Sequence, residues 1–229
     1  MDDREVRRGA GIYSRAVLGV YDLLVIRLSN SFAWRCPSRL MLDRYNRLLG
    51  RRHLDAGPGT GWYLGRAGLP AGAEITLLDL NPNSLDSAAS RLAGVPCRRL
   101  LANALDALPE GVGPFDSVGA NYLMHCIPGS WQEKGVVFRR LAERLEDDGV
   151  LFGSTILGRG VRHNLAGRRL MSLYNRLGVF HNRDDDAAGL ERALARAFHE
   201  HSVEIVGTVA MFTARRPRRE GKSEGAERT

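Results

Sequence analysis

Asp55, Gly57, Gly59 and Gly61 alternate with other residues in His53-Leu54-Asp55-Ala56-Gly57-Pro58-Gly59-Thr60-Gly61-Trp62-Tyr63-Leu64. An apolar strand end precedes them and an apolar helix start follows. Three glycines in five residues let backbone N–H groups approach a ligand with no Cβ in the way. A helix N-terminus behind them would add partial positive charge and unpaired donors. The stretch therefore reads as a loop that receives a nucleotide-like ligand. Asp79 stands 24 positions after Asp55, where an apolar run ends. A carboxylate there can accept both ribose hydroxyls of an adenosine, a geometry that also serves NAD. The dinucleotide fingerprint G-x-G-x-x-G needs its third glycine where Trp62 stands, which argues against NAD. Farther on, Asn121 and Tyr122 end another apolar run, and His125 follows them as the base-like residue nearest that edge. Holding the strand-to-helix turn competes with catalysis as the role of His125. His163 and His181 are more distant base candidates.

Alternating strands and helices position these residues. Strands are expected over 53–56, 74–80, 97–101, 115–120 and 150–155. Helices are expected over 61–67, from Asn81-Pro82-Asn83-Ser84 to about Leu92, over 131–145, 160–177 and 186–199. Asp147-Asp148-Gly149 reads as a turn. The runs 201–207 and 208–214 read as a closing hairpin. This order implies an α/β fold with a mostly parallel sheet and helices on both faces. Ligands of such sheets bind at the carboxyl ends of the strands, where Asn121 and Tyr122 lie. Before the first strand, apolar spacing predicts helices over 12–28 and 38–49, separated by an aromatic-rich loop containing Trp34.

The chain has 229 residues, enough for one sizeable domain. No apolar run approaches the roughly 20 residues of a membrane span, and the charged opening Met1–Glu5 is unlike a signal peptide. Cys36, Cys97 and Cys126 have no C-x-x-C spacing, which points to a reducing cytoplasm with no disulfide framework and no metal site. The net charge of +7 is almost all arginine; Lys134 and Lys222 are the only lysines. The segment 215–229 carries six cations against three acids and no aromatic for base stacking, so it reads as a solvated, disordered tail rather than a nucleic-acid arm. A serine elbow, a P-loop and H-E-x-x-H are all missing from the sequence.

The pattern Asp55-x-Gly57-x-Gly59-x-Gly61 after a strand resembles motif I of class I S-adenosylmethionine-dependent methyltransferases. The resemblance covers most of the chain. It recurs at Asp79, at Asn103-Ala104, at Phe115-Asp116 and in the helix–turn–strand from Leu141 to Leu151. Asn121-Tyr122-Leu123-Met124-His125-Cys126-Ile127-Pro128-Gly129 and the stretch from Asn30 to Pro37 resemble a microbial subgroup associated with natural-product pathways. The resemblance implies a Rossmann-like, seven-stranded sheet with an antiparallel C-terminal hairpin. It divides the chain into an N-terminal helical lid (1–50), a cofactor-binding domain (51–214) and the basic tail (215–229).

It also implies S-adenosylmethionine as cofactor and S-adenosylhomocysteine as product. Gly57, Gly59 and Gly61 would pass the methionine portion and ribose, while Asp55 would organise that backbone or pair with the cationic end of the cofactor, a purely structural acid being the alternative. Asp79 would hold the ribose, Leu80 would flank the adenine, Asn103 and Ala104 would bond its edge, and Asn121 and Tyr122 would complete the cofactor site. Tyr13, Tyr21 and Trp34 could wall the pocket, since an aromatic face favours the sulfonium, with core packing the competing role; Tyr13, Trp34 and His163 are the candidates to face the substrate. Amine-directed relatives carry D/N-P-P-Y/F after strand four; here that place reads Asn121-Tyr122-Leu123-Met124, so a DNA or glutamine amine is disfavoured. The expected partner is a small molecule, with the accepting O, C or N atom open, a homodimer open, and neither nucleic acid nor membrane. Two rival readings remain. One is an RNA or protein methyltransferase, supported by the basic stretch Arg159, Arg162, Arg168, Arg169 and Arg176. The other is a non-catalytic protein that binds S-adenosylmethionine.

Overall fold

The computed structural model describes residues 29–219. The expected helix over 12–28, with Tyr13 and Tyr21 in it, lies outside the described residues. Seven strands form one sheet: β1 (Arg52–Ala56), β2 (Glu74–Asp79), β3 (Cys97–Leu101), β4 (Phe115–Asn121), β5 (Leu145–Ile156), β6 (Phe198–Val206) and β7 (Val209–Pro217). Their order is β3-β2-β1-β4-β5-β7-β6. The first five run parallel, and β7 is antiparallel to both β5 and β6. The strand order reverses between β1 and β4, which opens a crevice at their carboxyl ends.

Both faces of the sheet are covered, as its parallel part requires. Alternate residues of β2 serve opposite cores. Ile75 and Leu77 pack with Tyr45 of α1 (Ser38–Leu48) and with Leu85 and Ala88 of α2 (Pro82–Ser90). Leu78 belongs to the core built on α3 (Trp131–Lys134), α4 (Val136–Ala142) and α6 (Ala187–Ala197). A further helix, α5 (Leu165–Arg176), packs through Leu170, Met171 and Tyr174 on a third cluster around Trp34 and Phe180. Helix starts follow their capping residues. Asn81 accepts from the Asn83 N–H before Pro82, and Asp186 accepts from the Gly189 N–H.

Several expectations need correcting. No helix covers 61–67; one short turn of 3₁₀ helix spans Leu64–Arg66. Only Leu64 is buried there, so no apolar stripe exists to hold a longer helix, and the helix dipole expected behind the glycine loop is missing. The helix expected over 131–145 breaks at Gly135, and its last residue, Leu145, opens β5. Asp147-Asp148-Gly149 is a bulge within β5 rather than a turn. Phe115 pairs with Leu145, yet Ser117 already pairs with Val150. The helix expected from 160 begins at Leu165, where the Asn164 side chain accepts from the Gly167 N–H.

The boundary placed at Ala214 also moves. β7 continues to Pro217, where Arg216 pairs with Glu200 at 3.1 Å, and Arg219 donates to the carbonyls of Ala142 and Leu145. Of the expected lid, residues 29–50 are described, and their helix α1 packs on the sheet. Its Arg44 donates to the Phe212 carbonyl, and Tyr45 meets Phe152 edge-on.

Candidate functional site

A cleft of about 240 Å³ lies at the carboxyl ends of β1, β2 and β4, and it has two chemically different ends. The first is polar and built from backbone turns. Gly57 and Gly59 sit at φ +69° and +56°, the left-handed region that glycine enters freely. The Gly57 N–H donates to the Leu78 carbonyl at 2.8 Å. A Cβ on Gly57 would lie 2.9 Å from the Leu123 side chain, whereas one on Gly59 would meet nothing within 4 Å. Gly59 thus offers open backbone to the cleft. Asp79, Leu80, Asn103 and Ala104 line the same end. The Asp79 Oδ1 accepts from the Asn81 N–H at 2.8 Å. Burial pushes the Asp79 carboxyl up to about 6, against the backbone N–H groups of Asn81 and Leu80. The Asn103 Oδ1 accepts from the Leu105 N–H at 3.1 Å, so an Asx turn fixes that side chain.

The second end is apolar and aromatic. Trp34, Tyr63, Tyr122, Ile156, Val179 and Phe180 wall it, with His125 among them. Trp34 and Phe180 are tilted together with ring centres 6.1 Å apart. Tyr122 has φ +56°, uncommon for a residue with a side chain, and its N–H is held by the Ser154 carbonyl at 2.8 Å.

Where the two ends meet, a buried polar layer forms the floor. The Tyr45 hydroxyl donates to Asp55 Oδ2 at 2.8 Å, and Tyr45 stacks on Tyr63 with centres 5.8 Å apart. Asn121 accepts from the Ser154 hydroxyl at 3.2 Å. Its Nδ2 lies beside the Tyr45 hydroxyl but makes no hydrogen bond of good geometry. A buried amide donor without a partner at the edge of a cleft favours a ligand that supplies an acceptor.

His125 lines the aromatic end, buried with its ring 4.4 Å from that of Phe180. Burial, with the nearby Lys134 cation, lowers its pKa to about 3. The Ile156 N–H donates to Nδ1 at 3.4 Å, so Nδ1 carries the lone pair and Nε2 the proton. The expected base is therefore a neutral imidazole that presents a donor and binds protons poorly. Cys126, in the same wall, has its thiol pushed up to about 12 by burial.

Three other sequence assignments fall outside the lining. Asp55 is 2% exposed and sits beneath the floor, reaching the cleft only through Tyr45; burial raises its carboxyl to about 7. Gly61 faces α2, where a Cβ would lie 2.6 Å from the Ala88 Cα. His163 points to the Leu157 carbonyl, 2.9 Å from Nε2, and meets Trp34 edge-on at 6.2 Å. It supports the aromatic wall from behind.

Sequence reasoning missed Asn30, Tyr45, Tyr63 and Phe180. Asn30 donates to the Tyr63 hydroxyl at 3.2 Å. Tyr63 was visible as the neighbour of Trp62, and Asn30 as part of the aromatic-rich loop. Phe180 comes from an irregular segment with neither helical nor strand periodicity. Among the described residues no group of His, Cys, Asp and Glu could hold a metal ion, and no helix is long and apolar enough to cross a membrane.

Residues 54–151 match the methyltransferase domain family. Across nearly the whole chain, two proteins are clearly related. The demethylluteothin O-methyltransferase of Streptomyces thioluteus is 38% identical over 93% of this chain and 93% of its own. The physcion biosynthesis cluster O-methyltransferase of Aspergillus chevalieri is 37% identical over 92% of this chain and 96% of its own. Among solved structures, an O-methyltransferase from neocarzinostatin biosynthesis, in complex with S-adenosylmethionine and 2-hydroxy-5-methyl naphthoic acid, superposes with a TM-score of 0.61. That match covers 89% of this chain and 58% of the other at 16% identity, a likeness of fold.

Proposed function

The chain belongs to the class I S-adenosylmethionine-dependent methyltransferases that act on small molecules, and we propose that it methylates an oxygen of an apolar, ring-containing acceptor. The observation that carries this reading is the division of one cleft into a polar glycine-loop end and an aromatic end. The first suits the cofactor and the second the acceptor. The names of the two relatives, both O-methyltransferases, support oxygen as the accepting atom.

The residues fit the cofactor. Asp79 would accept the ribose hydroxyls, Gly59 would let the chain pass close, and Leu80 and Ala104 would flank the base. Asn103 would bond the adenine edge with the capacity its Asx turn leaves. The unpaired Nδ2 of Asn121 would donate to an acceptor atom of the cofactor. S-adenosylmethionine, when bound, supplies a methyl group on a sulfonium, already a good leaving group. What remains for the protein is to align the accepting oxygen with that methyl and to exclude water. Trp34, Tyr122 and Phe180 would hold the acceptor's flat face. The Nε2 proton of His125 would orient an acceptor oxygen by donating to it. Neither His125 nor Cys126 can take a proton near neutral pH, because His125 binds one too weakly and the Cys126 thiol already holds its own, so the acceptor's own acidity would govern its ionisation.

The test is incubation with methyl-labelled S-adenosylmethionine and a panel of phenols, enols, amines and activated carbon acids, with the labelled position read by NMR. Label on oxygen of a ring-containing acceptor is the expected result. Label on nitrogen or carbon would overturn the choice of atom, and cofactor binding with no transfer to any member would overturn the acceptor class.

A further inference from the structure

Lys134 and Asp185 form an ion pair of 2.6 Å with side chains 0% and 4% exposed. Burying two charges is a poor route to stability, because apolar residues of similar volume often serve as well. The pair's connections suggest another purpose. Lys134 ends α3, nine residues after His125 in the chain. Its Nζ also donates to the His181 carbonyl at 3.2 Å, and the His181 N–H donates to the His125 carbonyl at 2.8 Å. The Asp185 carbonyl accepts from the N–H groups of both Gly158 and Arg159, just past the end of β5. Beside it, the buried Asn182 donates to the Ile156 carbonyl at 2.8 Å.

Three segments are thus tied at one buried point, and each contributes one wall of the aromatic end: His125, Ile156 and Phe180. These three residues lie outside the glycine loop and outside the Asp79–Leu80 and Asn103–Ala104 stretches. Phe180 belongs to no helix or strand; its N–H donates to the Tyr174 carbonyl of α5 at 3.2 Å, and the bonds above anchor the residues that follow it.

We infer that the Lys134–Asp185 pair is a positioning device for the acceptor. It fixes the Phe180 wall relative to His125 and Ile156, and so sets acceptor affinity without touching acceptor or cofactor. The inference rests on the reading of the aromatic end as the acceptor site.

The decisive comparison is between wild type and Lys134→Met/Asp185→Asn, which removes both charges at nearly unchanged volume. Lys134→Met alone leaves a buried carboxylate and serves as the harsher control. The probe for the aromatic end is 1,4-dihydroxy-2-naphthoic acid, titrated by fluorescence with S-adenosylhomocysteine present. Cofactor affinity is measured by calorimetry. In the folded double variant the probe should bind about tenfold or more weakly, while cofactor affinity stays within about twofold. Hydrogen exchange at the His181 amide should quicken, with the Gly57 amide unchanged. Unchanged exchange at His181, or equal losses of probe and cofactor binding, would overturn the positioning role. If exchange responds but wild type itself ignores the probe, the assignment of the aromatic end fails instead, and the inference falls with it.

Discussion

At the scale of single residues, burial decides what each titratable group can do. His125 was legible as a polar residue at the right strand end, yet its environment makes it a donor. Two-dimensional NMR of the imidazole nitrogens should show the Nε2–H tautomer with no titration between pH 5 and 8; a midpoint near 6.5 would restore the base. The unfolded chain takes up a proton at this histidine near pH 6.5, whereas the folded chain does so only near 3. The group therefore withdraws stability as pH falls below about 6.5. His125→Gln should lose less stability between pH 7 and 5 than wild type, by a few kcal/mol at most, in denaturant titrations. Asp79 behaves oppositely. Its folded pKa is raised to about 6, so its carboxylate costs stability as pH rises from about 4 through 6. Asp79→Asn should melt at a higher temperature than wild type at pH 7.5, and a lower one would show that the carboxylate is already satisfied without ligand.

At the scale of elements, the three loop glycines part company. All have positive φ, but they face different neighbours. A side chain at Gly59 would stand in the open cleft, while one at Gly61 would strike the backbone of α2. Gly59→Val should abolish cofactor binding with a stability loss of about 1–2 kcal/mol from the strained conformation. Gly61→Val should add overpacking and cost about 3 kcal/mol or more. Thermal melts paired with calorimetry separate the two. Equal binding losses at equal stability would contradict the division of roles. The repeat of glycines in sequence announced a special loop, but it could not say which glycine met ligand and which met protein.

Across the whole molecule, the sheet was legible where a parallel strand is a run buried on both faces, as in Ile75-Thr76-Leu77-Leu78 of β2. The seven strands, their parallel core and the final hairpin all stand as expected. Boundaries failed where tertiary contact overrode local pattern. Leu145 left its helix to open β5, and Arg215–Pro217 joined β7 because Glu200 and Phe198 lie opposite on β6. The polar end of the cleft was legible because backbone chemistry demands particular residues there: glycine at positive φ and an acid at a strand end. The aromatic end was legible only in part, through Trp34, Tyr122 and His125. Tyr45 and Tyr63 look like ordinary core residues, and Phe180 sits in irregular chain held by a buried ion pair that no local spacing reveals.

The central claim is that one cleft holds cofactor and acceptor at separate ends. It is tested most directly by calorimetric titration of S-adenosylmethionine into wild type, Asp79→Asn and Phe180→Ala. The account predicts that Asp79→Asn weakens binding by about tenfold to a hundredfold, the loss of hydrogen bonds to a charged group, while Phe180→Ala stays within about twofold of wild type. Unchanged affinity in Asp79→Asn, or a large loss in Phe180→Ala, would contradict it.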